Sequence, residues 1–304
     1  MLKPDWIAVD WGTSNMRAWA MSASGTVLDE MRSDRGMGSL KPAEFEQALR
    51  DAIAAWDHKG TPIIACGMVG SRQGWVEAPY VECPAALDDA AARLVRVAFG
   101  AGYQLHIVPG LRCVGSDGQV DVMRGEETQV AGVLAEQPEF DGVVCLPGTH
   151  SKWVHISASE IVSFQTAMTG EMFDLMANQS VLRHSVSSDA LDQHAFDDAI
   201  SETLSRPERL AQAMFGIRAE GLLHGLDSAK ARGRLSGLLI GAELAATRPY
   251  WLGQNVLVGG APALVALYAR ALAAQGVPVQ TRDAERLTLA GLCLARQSLS
   301  EARH

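Results

Sequence analysis

The sequence has few positive charges for its length, few cysteines and no long hydrophobic run. Its 304 residues include 26 Lys and Arg against 35 Asp and Glu, so the formal net charge is −9 and the pI is about 5.4. This deficit of positive charge argues against nucleic acid or an acidic membrane surface as the main partner, because both require a basic surface. An anionic small molecule is not excluded, since a few local Arg or Lys side chains can hold one.

The absence of long apolar stretches and of closely paired cysteines narrows the class of protein further. No segment reaches the roughly 18 apolar residues of a membrane span, and no apolar signal-peptide stretch follows Met1. The five cysteines are scattered without a C-x-x-C pair, which is typical of reduced thiols rather than of a disulfide framework. The eight histidines show no H-x-x-x-H spacing, which argues against a structural zinc. We therefore predict a cytoplasmic α/β protein with no membrane or nucleic-acid partner.

What is present is a strand-and-turn pattern that occurs twice. Residues 6–12 (WIAVDWG) form a short apolar run that ends in Asp and Gly, and two further strands joined by a turn at Gly25 follow. Residues 142–166 repeat the order strand, Gly-Thr turn, strand, Ser-Ala-Ser turn, strand. Thr149 lies 136 residues after Thr13. The shared order of elements predicts a duplicated domain.

Each Gly-Thr turn carries residues suited to binding phosphate. Glycine lets the backbone approach an anion closely, and the turn directs N–H groups at it. The first turn supplies Gly12, Thr13, Ser14, Asn15 and Arg17, and the second supplies Gly148, Thr149 and Lys152. Asp10, at the end of the first strand, can hold Mg²⁺ directly or through water. One turn alone would as readily be an ordinary hairpin bend, and no P-loop or Rossmann glycine motif occurs.

Six segments form an ordered set along the chain: DWGTSNMRAW, GMVGSRQGW, MRGEETQ, LPGTHSKWV, TAMTGE and SGLLIGAE. Together they resemble the 2-dehydro-3-deoxygalactonokinase family of sugar-acid kinases. That family belongs to the superfamily of actin, hexokinase and glycerol kinase, so the resemblance implies an α/β fold of two ribonuclease-H-like domains with an interdomain cleft. We expect residues 1–123 to form the N-terminal, sugar-acid-binding domain with the first phosphate motif. Residues 124–304 would form the C-terminal nucleotide-binding domain, with the last helix packing back on the first domain.

The resemblance also assigns segments to the parts of ATP. Residues 10–17 correspond to the first phosphate motif of the superfamily and residues 146–152 to the second. Residues 257–262 (LVGGAP), with Gly259 and Gly260, correspond to its adenosine motif. The second motif usually begins with an acid, and this chain has none there.

The base that accepts the proton of the substrate hydroxyl is expected at a helix start. Related sugar kinases carry an Asp there, and this chain has Glu126 directly after Gly125. A carboxylate at a helix N-terminus is kept ionised by the helix dipole and can accept a proton during phosphoryl transfer. Glu126 is therefore the expected base, and Asp10 is the alternative, although its position suits a metal better. From the residues alone, Glu126 and Glu127 would be ordinary first-turn acids.

The sugar acid requires a cation for its carboxylate and hydrogen-bonding groups for its hydroxyls. Arg124, beside the expected base, is the first candidate because its planar fork matches a carboxylate, and Arg17 and Arg72 are alternatives. The loop GMVGSRQGW follows a strand, at the edge where open α/β sheets bind ligands. Its candidates for sugar contact are Gly70, Ser71 and Trp75. Trp75 would equally be a core residue.

Together these assignments predict an ATP- and Mg²⁺-dependent kinase. It would phosphorylate 2-dehydro-3-deoxy-D-galactonate at its terminal 6-hydroxyl in D-galactonate catabolism. The alternatives are a kinase for another 2-keto-3-deoxy sugar acid, a phosphohydrolase, or an actin-type ATP-binding or sensing protein. The residues leave the stereochemistry of the substrate, the nucleotide preference and the oligomeric state open, a homodimer included.

Overall fold

The chain forms two compact units. Its structure is a computed structural model that describes residues 1–86, 93–100, 102–115 and 118–301. Unit 1 comprises Met1–Asp141, Ile156–Phe164 and Ala284–His304, and unit 2 comprises Gly142–His155 and Gln165–Asp283. The functional boundary after residue 123 stays a prediction.

Unit 1 contains a six-stranded mixed sheet and a small three-stranded sheet. Its strands are β1 (Trp6–Trp11), β2 (Met16–Met21), β3 (Val27–Ser33), β4 (Pro62–Gly67), β5 (Val81–Glu82), β6 (Ala85–Ala86), β7 (Val95–Phe99), β8 (Tyr103–Ile107), β9 (Leu111–Val114) and β10 (Val120–Met123). The strand orders are β3-β2-β1-β4-β8-β7 and β10-β9-β5. The helices are α1 (Phe45–Ala52), α2 (Glu126–Glu136) and the last helix of the chain, α9 (Ala284–Glu301), with 3₁₀ turns at Met37–Ser39, Pro42–Glu44 and Met68–Gly70.

The parallel strands β1, β4 and β8 lie side by side in the larger sheet, so their carboxyl ends meet at one edge. Asp10 of β1 lies opposite Cys66 of β4, and Trp11 lies opposite Gly67. These strands are buried on both faces, which explains their nearly continuous apolar sequences. One side of the sheet packs on α1, where Phe45 contacts Trp11. The sheet therefore presents Asp10 and Gly67 together at its edge.

Unit 2 is built on six helices and on the sheet strands that follow residue 141, except residues 156–164, which belong to unit 1 and include the two residues that pair with β6. The strands are β11 (Gly142–Leu146), β12 (Ser151–Ser157), β13 (Glu160–Ala167), β14 (Val256–Gly260) and β15 (Val279–Asp283), in the order β15-β14-β11-β12-β13. The helices are α3 (Thr169–Asn178), α4 (Gln193–Ser205), α5 (Leu210–His224), α6 (Ser228–Ala246), α7 (Arg248–Trp251) and α8 (Pro262–Ala273), with 3₁₀ turns at Val181–His184 and Pro207–Arg209. In the described ranges, no helix is long and apolar enough to cross a bilayer.

The strand-and-turn pattern predicted twice from the sequence is present twice. Strands β1–β3 and β11–β13 each run as three consecutive strands, with a Gly-Thr turn between the first two. The second hairpin turns at Ala158 and Ser159, which both have positive φ values, 50° and 61°. Left-handed residues at both central positions match the twist of a two-residue hairpin. The mixed α/β architecture is as predicted.

Three segments differ in structure from what their residue types alone indicate. Strand β13 ends at Ala167, and Thr169 and the residues after it form the first turn of α3. Within residues 42–56, a 3₁₀ turn precedes α1, which ends at Ala52. The polar segment 180–200 contains the start of α4, whose Phe196 and Ile200 are buried.

Candidate active site

Two glycines approach each other closely at the edge of the unit 1 sheet. Gly67 ends β4 with a φ of +89°, and a side-chain carbon there would lie 2.8 Å from the Trp11 carbonyl oxygen and 3.5 Å from Oδ1 of Asp10. Gly125 precedes α2 with a φ of +106°, and a side-chain carbon there would lie 3.3 Å from the Gly67 Cα atom. Glycine is required at both positions by the positive φ and the close approach. Asp10 and the first turn of α2 therefore flank the same glycine.

The first turn of α2 holds two carboxylates in different environments. Glu126 is partly exposed, and its Oε2 accepts a hydrogen bond from the Arg124 backbone N–H at 3.0 Å. Glu127 is buried, and its Oε2 accepts one from the Gly125 N–H at 2.6 Å. Burial, and then the negative charge of Glu126, raises the pKa of the Glu127 carboxyl to about 8. Of the two acids, Glu126 is the one accessible to a ligand.

Arg124 is a buried cation with two unused donors. Its Nη2 donates to the Ala78 carbonyl at 2.7 Å, and its guanidinium lies 4.4 Å from the centre of the Tyr80 ring. Its Nε and Nη1 groups are buried and make no hydrogen bond, and the same holds for the Ser71 hydroxyl. A side-chain carbon at Gly70 would lie 3.0 Å from Nη1. The structure thus brings together three predicted substrate-binding residues and leaves buried donors among them, which an anionic ligand would satisfy.

The other predicted sugar-binding residues have different surroundings. Trp75 packs in an aromatic cluster, with ring centroids 6.2 Å from Phe45 and 5.0 Å from Phe99. These are the contacts of a core residue, and stacking of Trp75 on a sugar stays a prediction. Arg72 is exposed on the same loop. Arg17 donates to Oδ2 of Asp10 at 2.6 Å and to Oε2 of Glu285 at 3.0 Å, so its guanidinium is already held by two carboxylates.

In the first Gly-Thr turn, hydrogen bonds hold the backbone and the side chains are exposed. The Gly12 N–H donates to the Asn15 carbonyl at 2.9 Å, which closes the turn. The carbonyls of Gly12 and Thr13 accept hydrogen bonds from the N–H groups of Met37 and Gly38. The side chains of Thr13, Ser14 and Asn15 are exposed. Their hydroxyl and amide groups can therefore donate to a ligand while the backbone is held in place.

Asp10 is the one carboxylate predicted for Mg²⁺. Within the residues that the structure describes, no group of three or more His, Cys, Asp or Glu side chains is arranged to hold a metal. Mg²⁺ commonly uses one or two carboxylates and completes its shell with phosphate oxygens and water. A single carboxylate next to an exposed, hydroxyl-rich turn fits that pattern. It does not fit a metal site in which protein side chains supply all the ligands.

The second Gly-Thr turn, residues 147–150 of unit 2, packs against the start of α3. The Glu171 N–H donates to the Thr149 carbonyl at 2.9 Å, and a side-chain carbon at Gly170 would collide with the Gly148 carbonyl. Lys152 is buried, and its Nζ donates to the His150 carbonyl at 3.4 Å. The turn is thus fixed to a helix N-terminus, where backbone N–H groups favour anions.

A cavity of about 590 Å³ opens beside this turn, within unit 2. Its lining includes Gly148, Thr149, Thr169 and Gly170, together with Ser236, Leu239 and Ile240 of α6 and Ala263, Leu264 and Leu267 of α8. Gly260 closes β14 just before α8, and a side-chain carbon there would lie 3.2 Å from the Pro147 carbonyl oxygen. Polar backbone at a phosphate-type turn combined with apolar helix faces is suited to a nucleotide, and the volume is in the usual range for a ligand site.

Comparison with known proteins defines the class first. The chain is similar in structure to a ligand-bound xylulose kinase from Lactobacillus acidophilus, with a TM-score of 0.50 at 11% identity over 97% of this chain and 89% of that one. A likeness at this identity shows the fold alone. It confirms the α/β kinase fold that the sequence predicts.

The family follows from closer matches. Residues 10–295 match the family described as 2-keto-3-deoxy-galactonokinase. A 2-dehydro-3-deoxygalactonokinase of Escherichia coli (strain K12) is 36% identical over 94% of this chain and 96% of its own length. The crystal structure of a Sinorhizobium meliloti protein, provisionally named a 2-dehydro-3-deoxygalactonokinase, is 40% identical with a TM-score of 0.91 and covers 97% of this chain and 99% of its own. The chain belongs to the 2-keto-3-deoxy-galactonokinase family, as its motifs predict.

Proposed function

We propose that this protein transfers the γ-phosphoryl group of ATP to the 6-hydroxyl of 2-dehydro-3-deoxy-D-galactonate. The observation that carries the proposal is the buried Arg124 guanidinium, which has two unused N–H donors two residues before Glu126 in a chain of this family. A cation with free donors matches the carboxylate of a sugar acid, and an accessible acid at a helix start matches the proton acceptor of a kinase.

On the substrate side, the Arg124 guanidinium binds the carboxylate through one of its unused N–H groups, and Ser71 donates its buried hydroxyl to the sugar. A side-chain carbon at Gly70 would lie 3.0 Å from Nη1 of Arg124, so glycine at this position keeps side-chain atoms away from the guanidinium. Glu126 accepts the proton of the 6-hydroxyl. The hydrogen bond from the Arg124 backbone N–H holds that carboxylate in its place. The backbone of one residue thus orients the base while its side chain orients the substrate.

On the nucleotide side, the two Gly-Thr turns are proposed to bind phosphate oxygens. Thr13, Ser14 and Asn15 would donate from exposed side chains, and Gly148, Thr149 and Lys152 would add backbone N–H groups and a positive charge. The adenosine would occupy the cavity of unit 2, next to Gly259 and Gly260 at the end of β14. Mg²⁺ would be held by Asp10 and phosphate oxygens, and it would neutralise phosphate charge.

The proposed chemical step transfers the γ-phosphoryl group from ATP to the sugar acid. The 6-oxygen of the sugar acid attacks the γ-phosphorus and forms a new P–O bond. The bond from that phosphorus to the oxygen bridging to the β-phosphate breaks, and ADP leaves with the electron pair. The hydroxyl proton passes to Glu126. Positioning and charge stabilisation supply most of the catalysis in such transfers.

The base is tested by exchanging its carboxylate for an amide. Glu126→Gln should lower kcat by about a hundredfold or more, since general-base catalysis contributes that much, and should leave the dissociation constant for ADP unchanged. Glu46→Gln, in the first turn of α1, is the matched control and should keep wild-type kcat. A near-normal kcat in Glu126→Gln would exclude Glu126 as the base and leave Asp10, whose Oδ2 is held by Arg17.

The substrate is tested by ADP release with purified protein. The panel contains 2-keto-3-deoxy sugar acids of galactonate and gluconate stereochemistry, together with neutral sugars. We expect release with the galactonate derivative at the highest kcat/KM and none with neutral sugars. ADP release in the absence of any sugar acid would favour a phosphohydrolase, and no release with any compound would count against a kinase.

A further inference from the structure

Unit 2 contains a buried carboxylate that the proposed mechanism does not use. Glu243 of α6 is only 4% exposed. Its Oε1 accepts a hydrogen bond from the Trp153 indole N–H at 2.7 Å, and its Oε2 accepts one from the Tyr268 hydroxyl at 2.7 Å. The Tyr268 hydroxyl lies 3.0 Å from Oγ of Ser151, and the carboxylate also interacts with the hydroxyls of Thr169 and Ser151. One acid on α6 therefore connects to three other elements: β12 through two residues, and α3 and α8 through one residue each.

Such a cluster is costly to bury. Burial raises the pKa of the Glu243 carboxyl, and its partners are neutral donors. Well-packed apolar residues of similar volume would commonly be as stable or more so. A satisfied polar network does, however, fix its members in one arrangement, because leaving any member unpaired is expensive. The cluster is therefore better explained by the positions it fixes than by stability.

The positions that the cluster fixes are those on either side of the second Gly-Thr turn. Ser151 is the first residue after the turn, and Thr169 is the first residue of α3. The next residues of that helix contact the turn directly, because the Glu171 N–H donates to the Thr149 carbonyl and Gly170 abuts Gly148. Both segments that hold Gly148 and Thr149 are thus joined to a single carboxylate.

We propose that Glu243, acting through Tyr268, Ser151 and Thr169, is a positioning residue that fixes the turn at Gly148 and Thr149 for the phosphates of ATP. This inference rests on the proposed role of that turn as a phosphate site. Glu243 is not a catalytic residue, because its carboxylate is enclosed by its partners. Its loss should therefore weaken nucleotide binding more than the chemical step.

Two variants test whether Glu243 positions the turn at Gly148 and Thr149. Tyr268→Phe keeps the ring that lines the cavity and removes the hydroxyl that joins Glu243 to Ser151. Glu243→Gln keeps the shape of the side chain and changes one acceptor to a donor. In each, KM for ATP and the dissociation constant for ADP should rise roughly tenfold, the factor for one hydrogen bond to a charged group. The KM for the sugar acid and kcat should stay within about threefold of wild type. The double variant should be little worse than either single variant, because both break one network.

A matched control separates positioning from general loss of stability. The Thr247 hydroxyl is buried and donates to the backbone carbonyl of Glu243 at 2.8 Å, so it bonds the same residue without touching its carboxylate. Thr247→Val should lower the melting temperature and leave KM for ATP unchanged. If Tyr268→Phe and Glu243→Gln change only the melting temperature, as this control does, the positioning role is overturned.

A variant of the turn itself distinguishes failure of this inference from failure of the proposed site. A side-chain carbon at Gly148 would meet no atom within 4 Å, so Gly148→Ala should fold and weaken ADP binding by filling the phosphate position. If calorimetry shows unchanged ADP binding in Gly148→Ala, the turn is not the phosphate site and both claims fail. If Gly148→Ala weakens ADP binding while the Tyr268 and Glu243 variants do not, only the positioning role is lost.

Discussion

Arg124 is the residue whose surroundings differ most from what stability alone would favour. A buried guanidinium with two unpaired N–H groups costs free energy in the absence of a ligand. Arg124→Met should therefore raise KM for the sugar acid about 10- to 100-fold, without lowering the melting temperature as much as a buried substitution commonly does. Steady-state kinetics and thermal melting measure the two effects.

The control for Arg124 lies on the neighbouring loop. Arg72 is exposed, and Arg72→Met should change neither KM nor melting temperature. An Arg124→Met protein with wild-type KM for the sugar acid would show that the carboxylate is bound elsewhere, with Arg17 the remaining candidate.

Glu127 predicts a pH dependence of stability. Its pKa of about 8 in the folded protein lies well above the value near 4.3 of an unfolded glutamate, so the folded state binds the proton more tightly. Its stabilising effect is therefore complete below about pH 4 and is lost as the pH rises towards about 8. Relative to the Glu127→Gln variant, the wild type should lose free energy of unfolding between about pH 5 and 8. Above about pH 8 the curves of the two proteins should run parallel. Urea denaturation at several pH values measures this. Glu139→Gln removes an exposed acid, and its free energy of unfolding should follow that of the wild type at every pH. If the curves of the wild type and Glu127→Gln ran parallel between about pH 5 and 8 as well, the raised pKa of Glu127 would be contradicted.

Single residues also show what the sequence could and could not reveal about the site. Arg124 and Glu126 became candidates through the family resemblance of MRGEETQ, since from the residues alone Glu126 would be an ordinary first-turn acid. The burial of Glu127 was not predictable, since adjacent acids in a first turn look alike until the packing of the helix is known. Glu243 was missed because it is a single acid in a long helix, and its hydrogen-bond partners Tyr268 and Trp153 lie 25 and 90 residues away in sequence.

At the scale of elements, the junction between β4 and α2 depends on Gly125. Gly125→Ala would place a carbon 3.3 Å from the Gly67 Cα atom and impose a positive φ on alanine. The positive φ should cost about 1–2 kcal/mol of stability. The contact should also move the start of α2, and with it Glu126, so kcat should fall by at least about tenfold.

Gly253→Ala isolates the backbone cost. Gly253 has a φ of +74°, and a side-chain carbon there would meet no atom within 4 Å. It should lose comparable stability in urea denaturation and retain wild-type kcat. Equal kcat values for the two variants would mean that the contact between the glycines does not position the base.

The elements themselves were predictable to different degrees. The two three-strand patterns were found because buried strands and Gly-containing turns leave short, distinct signals. The start of α4 was not, because its outward positions are polar and only Phe196, Ala199 and Ile200 follow helical spacing on the buried side. The start of α3 was not predictable either, since Thr169 and Gly170 have turn-like identities and the contact between Glu171 and Thr149 is visible only in the fold.

At the scale of the whole molecule, the proposed contacts with the sugar acid lie in unit 1 and the cavity proposed for the nucleotide lies in unit 2. Each ligand alone should therefore protect a different set of backbone amides from hydrogen exchange, because binding suppresses local opening. The sugar acid should protect residues 68–78 and 124–127 most strongly. ADP should protect residues 148–150 and the cavity-lining parts of α6 and α8, with a smaller effect at residues 12–15. D-Galactose, which lacks the carboxylate that Arg124 is proposed to bind, should protect neither set at the same concentration. If the sugar acid alone protected only unit 2, or ADP alone only residues 68–78, the ligands would have been assigned to the wrong units, whatever the kinetics of the single variants showed.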